Sequence, residues 1–116
     1  MTKHAIQKTQ QIPQEQWLTF FDQFTKTNSE RLLSLEVADK EMGDEPLVKQ
    51  SPLASITYEP VNKGNDVIIA IGRDAVVYSH TVTEPEAVWV AKDDAGEVVA
   101  LEIVDHSGNQ AILRFS

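Results

Sequence analysis

Ile12-Pro13-Gln14-Glu15-Gln16-Trp17-Leu18-Thr19-Phe20-Phe21-Asp22-Gln23-Phe24-Thr25-Lys26-Thr27-Asn28-Ser29 carries a helical period, and almost everything after it repeats every second residue instead. That switch decides the fold class. Pro13 suits the first turn of a helix, because its fixed φ and missing N–H cost nothing there. Glu15 in the first turn and Lys26 in the last oppose the helix dipole favourably, and Asn28-Ser29 offers a stop. The helix is therefore expected from Pro13 to about Thr27. Trp17, Phe20, Phe21 and Phe24 fall at i, i+3, i+4 and i+7, which gathers four aromatic rings within an arc of roughly 100°. Such a stripe can dock a partner, but in a chain with few other large side chains it belongs in the core.

From Arg31 to Asp39 the pattern alternates, with Leu33, Leu35 and Val37 on one face and Ser34, Glu36 and Ala38 on the other. This reads as a half-exposed strand. Residues 40–52 are charged and contain Gly43, Pro46 and Pro52, so they are expected to form the longest irregular connection. Strands follow at Leu53 to Glu59, Asp66 to Gly72, Ala75 to Val82, Ala87 to Asp93, Glu97 to Val104 and Gln110 to Phe115. Val67-Ile68-Ile69-Ala70-Ile71 is apolar on both faces and should be central. Turns are expected at Asp94-Ala95-Gly96 and at Asp105-His106-Ser107-Gly108. Short links between successive strands favour antiparallel neighbours, since a parallel return needs about a dozen residues or more. The expected architecture is α+β: one N-terminal amphipathic helix packed on a strongly curved antiparallel meander of six or seven strands. Natural twist should curl that sheet into a half-barrel or split it into two layers.

The chain has 116 residues, the usual size of one domain, and 41% of them are hydrophobic. Residues 1–11, polar and aperiodic, are expected to be a flexible N-terminal arm, and residues 12–116 a single α+β domain. The absence of cysteine removes disulfides and thiol chemistry and suits a reducing cytoplasm. The first thirty residues lack a secretory apolar stretch, and the longest apolar run is Val67 to Ile71, so no membrane association is expected. A formal net charge of −8 repels phosphate backbones, which argues against nucleic acid as a partner.

Catalytic signals are sparse. No Ser lies in a Gly-flanked nucleophile elbow, and the five glycines are scattered singly, each fitting a turn rather than a phosphate cradle. His4, His80 and His106 lack metal-ligand spacing, so neither a metal nor a cofactor is expected. The acidic run of Glu36, Asp39, Glu41, Asp44 and Glu45 does not match a calcium loop, because Gly43 is misplaced and no bidentate Glu follows at the required distance. His80 shares a predicted strand face with Val76, Tyr78 and Val82. It reads either as a partly buried imidazole or as a site residue.

Several segments taken together resemble a family of short bacterial, cyanobacterial-type uncharacterised proteins built on a domain of unknown function. They are Ile12-Pro13 with Glu15, Trp17, Phe20 and Phe21; Leu35-Glu36-Val37; His80-Thr81-Val82 with Pro85; Val88-Trp89-Val90; Leu101-Glu102-Ile103; Gly108; and Leu113-Arg114-Phe115. The resemblance covers most of the chain and implies no activity. It directs attention to His80, Trp89, Glu102 and Arg114 as candidate ligand-binding residues. Glu102 and Arg114, on adjacent strands, are expected to form a cross-strand ion pair. If His80 and Trp89 lie on adjacent antiparallel strands, they could border a polar pocket.

Three functional readings follow. The leading one is a small, acidic, non-catalytic interaction or accessory module, with a protein partner or self-association through the 40–52 segment or a sheet edge. The alternative is a small-molecule-binding domain with a pocket near His80 and Trp89. An enzyme centred on His80 ranks third.

Overall fold

The computed structural model describes residues 6–39 and 41–116. Its sheet has eight antiparallel strands: β1 (Ile6–Gln11), β2 (Leu32–Asp39), β3 (Gly43–Glu59), β4 (Asp66–Ile71), β5 (Tyr78–Thr83), β6 (Pro85–Asp93), β7 (Val98–Asp105) and β8 (Gln110–Phe115). Their order is β1-β6-β7-β8-β2-β3-β4-β5, and one helix, α1 (Trp17–Asn28), follows a 3-10 turn at Gln14–Gln16. No helix among the described residues is long and apolar enough to cross a membrane.

Two consecutive meanders, β2-β3-β4-β5 and β6-β7-β8, are joined by the pairing of β8 with β2. The single meander expected from the short links breaks at Glu84, the lone residue between β5 and β6. Glu84 sits at φ 51 and its C=O accepts from His106 N–H, so the chain turns a corner instead of a hairpin. β3 is the hinge of the two layers. Its first half pairs with β2 up to Pro52, and its second half pairs with β4 from Leu53 onward.

That division explains the segment expected to be irregular. Residues 43–52 are the first half of β3, and β4 begins only opposite Leu53, so this half has an unpaired side. A strand with one free side tolerates Pro46 and Pro52, whose missing N–H groups cost no ladder bond there. The bulges between Leu33 and Glu36 take up the irregularity. The eighth strand arises at the other end: Ile6–Gln11, within the stretch expected to be an arm, pairs with β6 as far as Gln11 opposite Trp89. Its Gln- and Thr-rich sequence has no apolar alternation, and Lys8, Thr9, Gln10 and Gln11 are all exposed. Residues 1–5 of that stretch fall outside the described residues.

The two layers enclose Leu33, Leu35, Val88, Val90, Leu101, Ile103 and Leu113 from one side and Leu53, Ile56, Tyr58, Val67, Ile69 and Ile71 from the other. α1 closes the remaining opening. Trp17, Phe21 and Phe24 are buried, Trp17 meeting Tyr58 edge-on at 5.3 Å, while Phe20 is half-buried at the margin. Burying each such ring stabilises by about 1.5 to 3 kcal/mol. Trp17 Nε1–H donates to the Ile12 carbonyl at 2.8 Å and so fixes how the chain enters the helix. Past Pro52, β3 has no strand on its β2 side, and α1 covers it: the Thr25 hydroxyl accepts from Ile56 N–H at 2.9 Å and donates to Ile56 C=O at 3.0 Å.

The turns follow from one repeated chemistry. Asp93 Oδ1 accepts from the N–H groups of Ala95 and Glu97, and Asp105 Oδ1 accepts from those of Ser107 and Asn109. Asp39 Oδ1 does the same for Glu41 and Met42. Each Asp side chain thus satisfies donors that the turn would otherwise leave open.

Candidate binding face

Trp89, Glu102 and Arg114 come together on the outer face of the larger layer. Alternation places Val88, Val90, Leu101, Ile103, Ala111 and Leu113 inside, so the residues between them point away from the core. In register across six strands run Gln11, Trp89, Glu102, Ile112, Glu36 and Pro46. Flanking this row are Ala87, Val104, Gln110 and Ala38 on one side and Ala100, Arg114 and Ser34 on the other. α1 packs on β3 from the inner side, and Trp89 retains 37% exposure.

The expected Glu102–Arg114 pair is corrected by the register. Arg114 stands opposite Ala100 and Glu102 opposite Ile112, so the two are offset along the hairpin. Arg114 Nη1 instead forms an ion pair with Glu36 Oε1 on β2, and Glu102 Oε2 accepts from Gln110 Nε2 at 2.8 Å. The local sequence of a hairpin cannot announce that a third strand will lie beside it. With these charges engaged in the sheet itself, the face offers an indole, Ile112, Val104 and several alanines to a partner.

His80 lies elsewhere. It stands opposite Ile69 on β5, facing the space between the layers, and burial holds its pKa below the ordinary value. It borders a crevice of about 130 Å³ with Val37, Asp105, Asn109 and Gln110. Trp89 is not in that lining. β5 and β6 follow one another in sequence but do not pair, so the condition for a His80–Trp89 pocket is not met.

Two other concavities were not signalled by any motif. A groove of about 680 Å³ runs between α1 and the β6–β7 turn, with Phe20, Phe24 and Val98 along it and Arg31 and Lys92 among its walls. Arg31 is tied down: Nη1 donates to Val98 C=O at 2.8 Å and Asn28 Oδ1 at 3.1 Å, and the guanidinium lies 5.0 Å from the Phe115 ring centre. At the Glu84 corner, His106 Nδ1 meets Glu86 Oε2 at 2.6 Å. This hydrogen bond, together with the charges of Glu86 and Glu84, raises the His106 pKa. The Asn65 Oδ1 nearby is buried without a hydrogen-bond partner. Among the described residues no group of three His, Asp or Glu side chains is placed to hold a metal ion.

Comparison with known proteins adds a family and no activity. Over 106 residues, 91% of this chain and 90% of the relative, the sequence is 36% identical to an uncharacterized protein of the bacterium Aquifex aeolicus (strain VF5). No solved structure matches the chain. Residues 8–116, which include every strand from β2 to β8 and the helix, match the family of unknown function DUF5335. The chain belongs to the DUF5335 family of unknown function.

Proposed function

We propose that this protein is a small, non-catalytic accessory module that binds a protein partner through the outer face of β1-β6-β7-β8-β2. The observation that carries this reading is the in-register row through Trp89, Glu102, Ile112 and Glu36, left on a face over which α1 does not pack. An exposed indole on a sheet face gives a large contact area with little entropy to lose on binding, which is why Trp anchors protein interfaces. The paired Arg114 and Glu36 and the hydrogen-bonded Glu102 fit a polar rim rather than an ion-binding centre.

A small-molecule site at His80 draws less support, because the crevice there is small and Trp89 does not reach its lining. An enzyme centred on His80 draws less still. The carboxylate in that crevice, Asp105, has its Oδ1 engaged by two N–H groups of its own turn.

The test is site-specific photocrosslinking in cells. A benzophenone amino acid at position 89 is expected to give one discrete heteromeric adduct, and the same group at exposed position 57 on the smaller layer none. An absence of adduct at 89, or an equal ladder from both sites, would refute the reading.

A further inference from the structure

The described sheet leaves three backbone edges unpaired: β1, the first half of β3, and β5. Natural sheets guard such edges with lysine, proline, bulges or charge, because a bare row of N–H and C=O groups templates another strand. β1 carries Lys8 and a register shift between Ile6 and Lys8. The first half of β3 carries Asp44, Glu45, Pro46, Lys49 and Pro52. β5, Tyr78-Ser79-His80-Thr81-Val82-Thr83, has none of these, and its ladder to β4 runs without a register shift.

The ladder also fixes which groups are free. Glu84 N–H donates to Asn65 C=O in continuation of the Asp66–Thr83 register. By the alternation of antiparallel bonding, His80 and Val82 then exchange bonds with β4, while Ser79, Thr81 and Thr83 direct their N–H and C=O groups away from it. The side chains of Ser79, Thr81 and Thr83 are exposed. The neighbouring Val76 and Val77 are 59% and 78% exposed, which extends the unguarded surface toward the start of the strand.

We infer that β5 is a self-association edge, pairing antiparallel with β5 of a second copy of this chain about a two-fold axis at Thr81. Two features select a second copy as the occupant. From Ala75 to Thr83 there is no Asp, Glu, Lys or Arg, so the strand itself brings no like charge to a seam between two molecules of net charge −8, and a carboxylate beside it is Asp105, in the crevice that Thr81 and Thr83 also border. The strand is also self-complementary: with Thr81 opposite its own mate, Ser79 falls opposite Thr83, and Ser and Thr side chains pair well across antiparallel strands. Such an isologous contact uses up one edge from each copy and closes as a dimer, with no filament. This inference is independent of the Trp89 face, which lies on the other layer.

Sedimentation equilibrium tests it. The wild-type chain, 12.9 kDa, is expected to show a concentration-dependent mass rising toward twice that value. Raising the salt to about 0.15 M or above should favour the dimer, by screening the like charges of the two copies. Thr81→Lys, which puts a charge at the axis, is expected to weaken dimerisation at least tenfold. Thr81→Pro, which removes an outward N–H without touching the β4 ladder, should do the same. Trp89→Ala should leave the dimer unchanged. Amide exchange is the second measurement, with Ser79, Thr81 and Thr83 becoming protected as protein concentration rises. A monomer at every concentration up to about 1 mM, a dimer indifferent to both Thr81 variants, or a monomer that binds a foreign strand at β5 would overturn the inference.

Discussion

Thr25 shows how a single hydroxyl can stand in for a missing strand. Its Oγ1 bonds both backbone groups of Ile56, at 2.9 and 3.0 Å, where β2 has ended and β3 would otherwise present a bare edge to the helix. Ile56 is 2% exposed, so these groups sit in the core margin. Thr25→Val keeps the shape and the branching but leaves one N–H and one C=O without a partner. An orphaned buried polar group costs about 1 to 3 kcal/mol, and the part-buried position of this hydroxyl sets both groups near the lower end. The sum is about 2 to 3 kcal/mol, less a few tenths regained by burying an extra methyl. For a domain of this size that corresponds to a fall in Tm of roughly 10 °C. Urea unfolding followed by Trp fluorescence measures the loss, with Thr25→Ser as the control that keeps the hydroxyl and stays within about 1 kcal/mol of wild type. A valine variant within about 0.5 kcal/mol of wild type would show that the hydroxyl does not secure this edge.

Gly72 and the two described histidines give further tests. Gly72 has φ 145, and a Cβ there would meet the Ala75 carbonyl oxygen at 1.9 Å, so Gly72→Ala should cost about 2 to 4 kcal/mol in urea unfolding. Gly96→Ala, at φ 83 with open space around it, should cost about 1 kcal/mol, and equal losses at the two sites would contradict the geometry. NMR titration should place His106 above 6.5 and His80 below it, for opposite reasons. His106 is held charged by its hydrogen bond to Glu86, so its contribution to stability is complete below 6.5 and is lost as pH rises through its raised folded value. His80 is kept neutral by burial, so its contribution is lost as pH falls below 6.5 toward its lowered folded value, where the unfolded chain takes up the proton first. Glu86→Gln should bring His106 back toward 6.5 and leave His80 in place; movement of both would refute the separate assignments.

What the sequence shows and what it hides divides along contact range. The period of Trp17, Phe20, Phe21 and Phe24, the alternation of Leu33 and Leu35, and the Asp-to-Gly turns are local signals, and the structure contains them all. β1 is not legible, because an edge strand of Gln and Thr has no apolar face to display. Nor is the first half of β3, whose prolines read as loop until one sees that β4 begins only at Leu53. The candidate face divides the same way. Trp89 and Glu102 share a hairpin and fall opposite each other, but the partner of Arg114 is Glu36 on β2, brought alongside β8 by a pairing between distant parts of the chain. The alternation puts His80 on a strand face with Val76, Tyr78 and Val82; β5 begins only at Tyr78, so Val76 lies outside it, while His80 and the buried Val82 share its inner face. The corner at Glu84 then carried β6 away from β5, and no local pattern marks a one-residue link as a corner rather than a tight turn.

This corner bears on the functional proposal. By turning β5 and β6 into different layers, Glu84 leaves β5 unpaired on one side and frees the outer face of β6, so one backbone feature creates both surfaces. In a chain of net charge −8, the two differ in charge: β5 is neutral, whereas on the Trp89 face Arg114 is matched by Glu36 and Glu102 keeps its charge beside the neutral Gln110 amide. The remaining surface repels like-charged proteins, which concentrates association where that repulsion is weakest. The surfaces also belong to different layers, so Thr81→Lys and Trp89→Ala should act independently. If one substitution abolished both self-association and crosslinking at position 89, the second event would depend on the first, and a dimer would be the unit that binds.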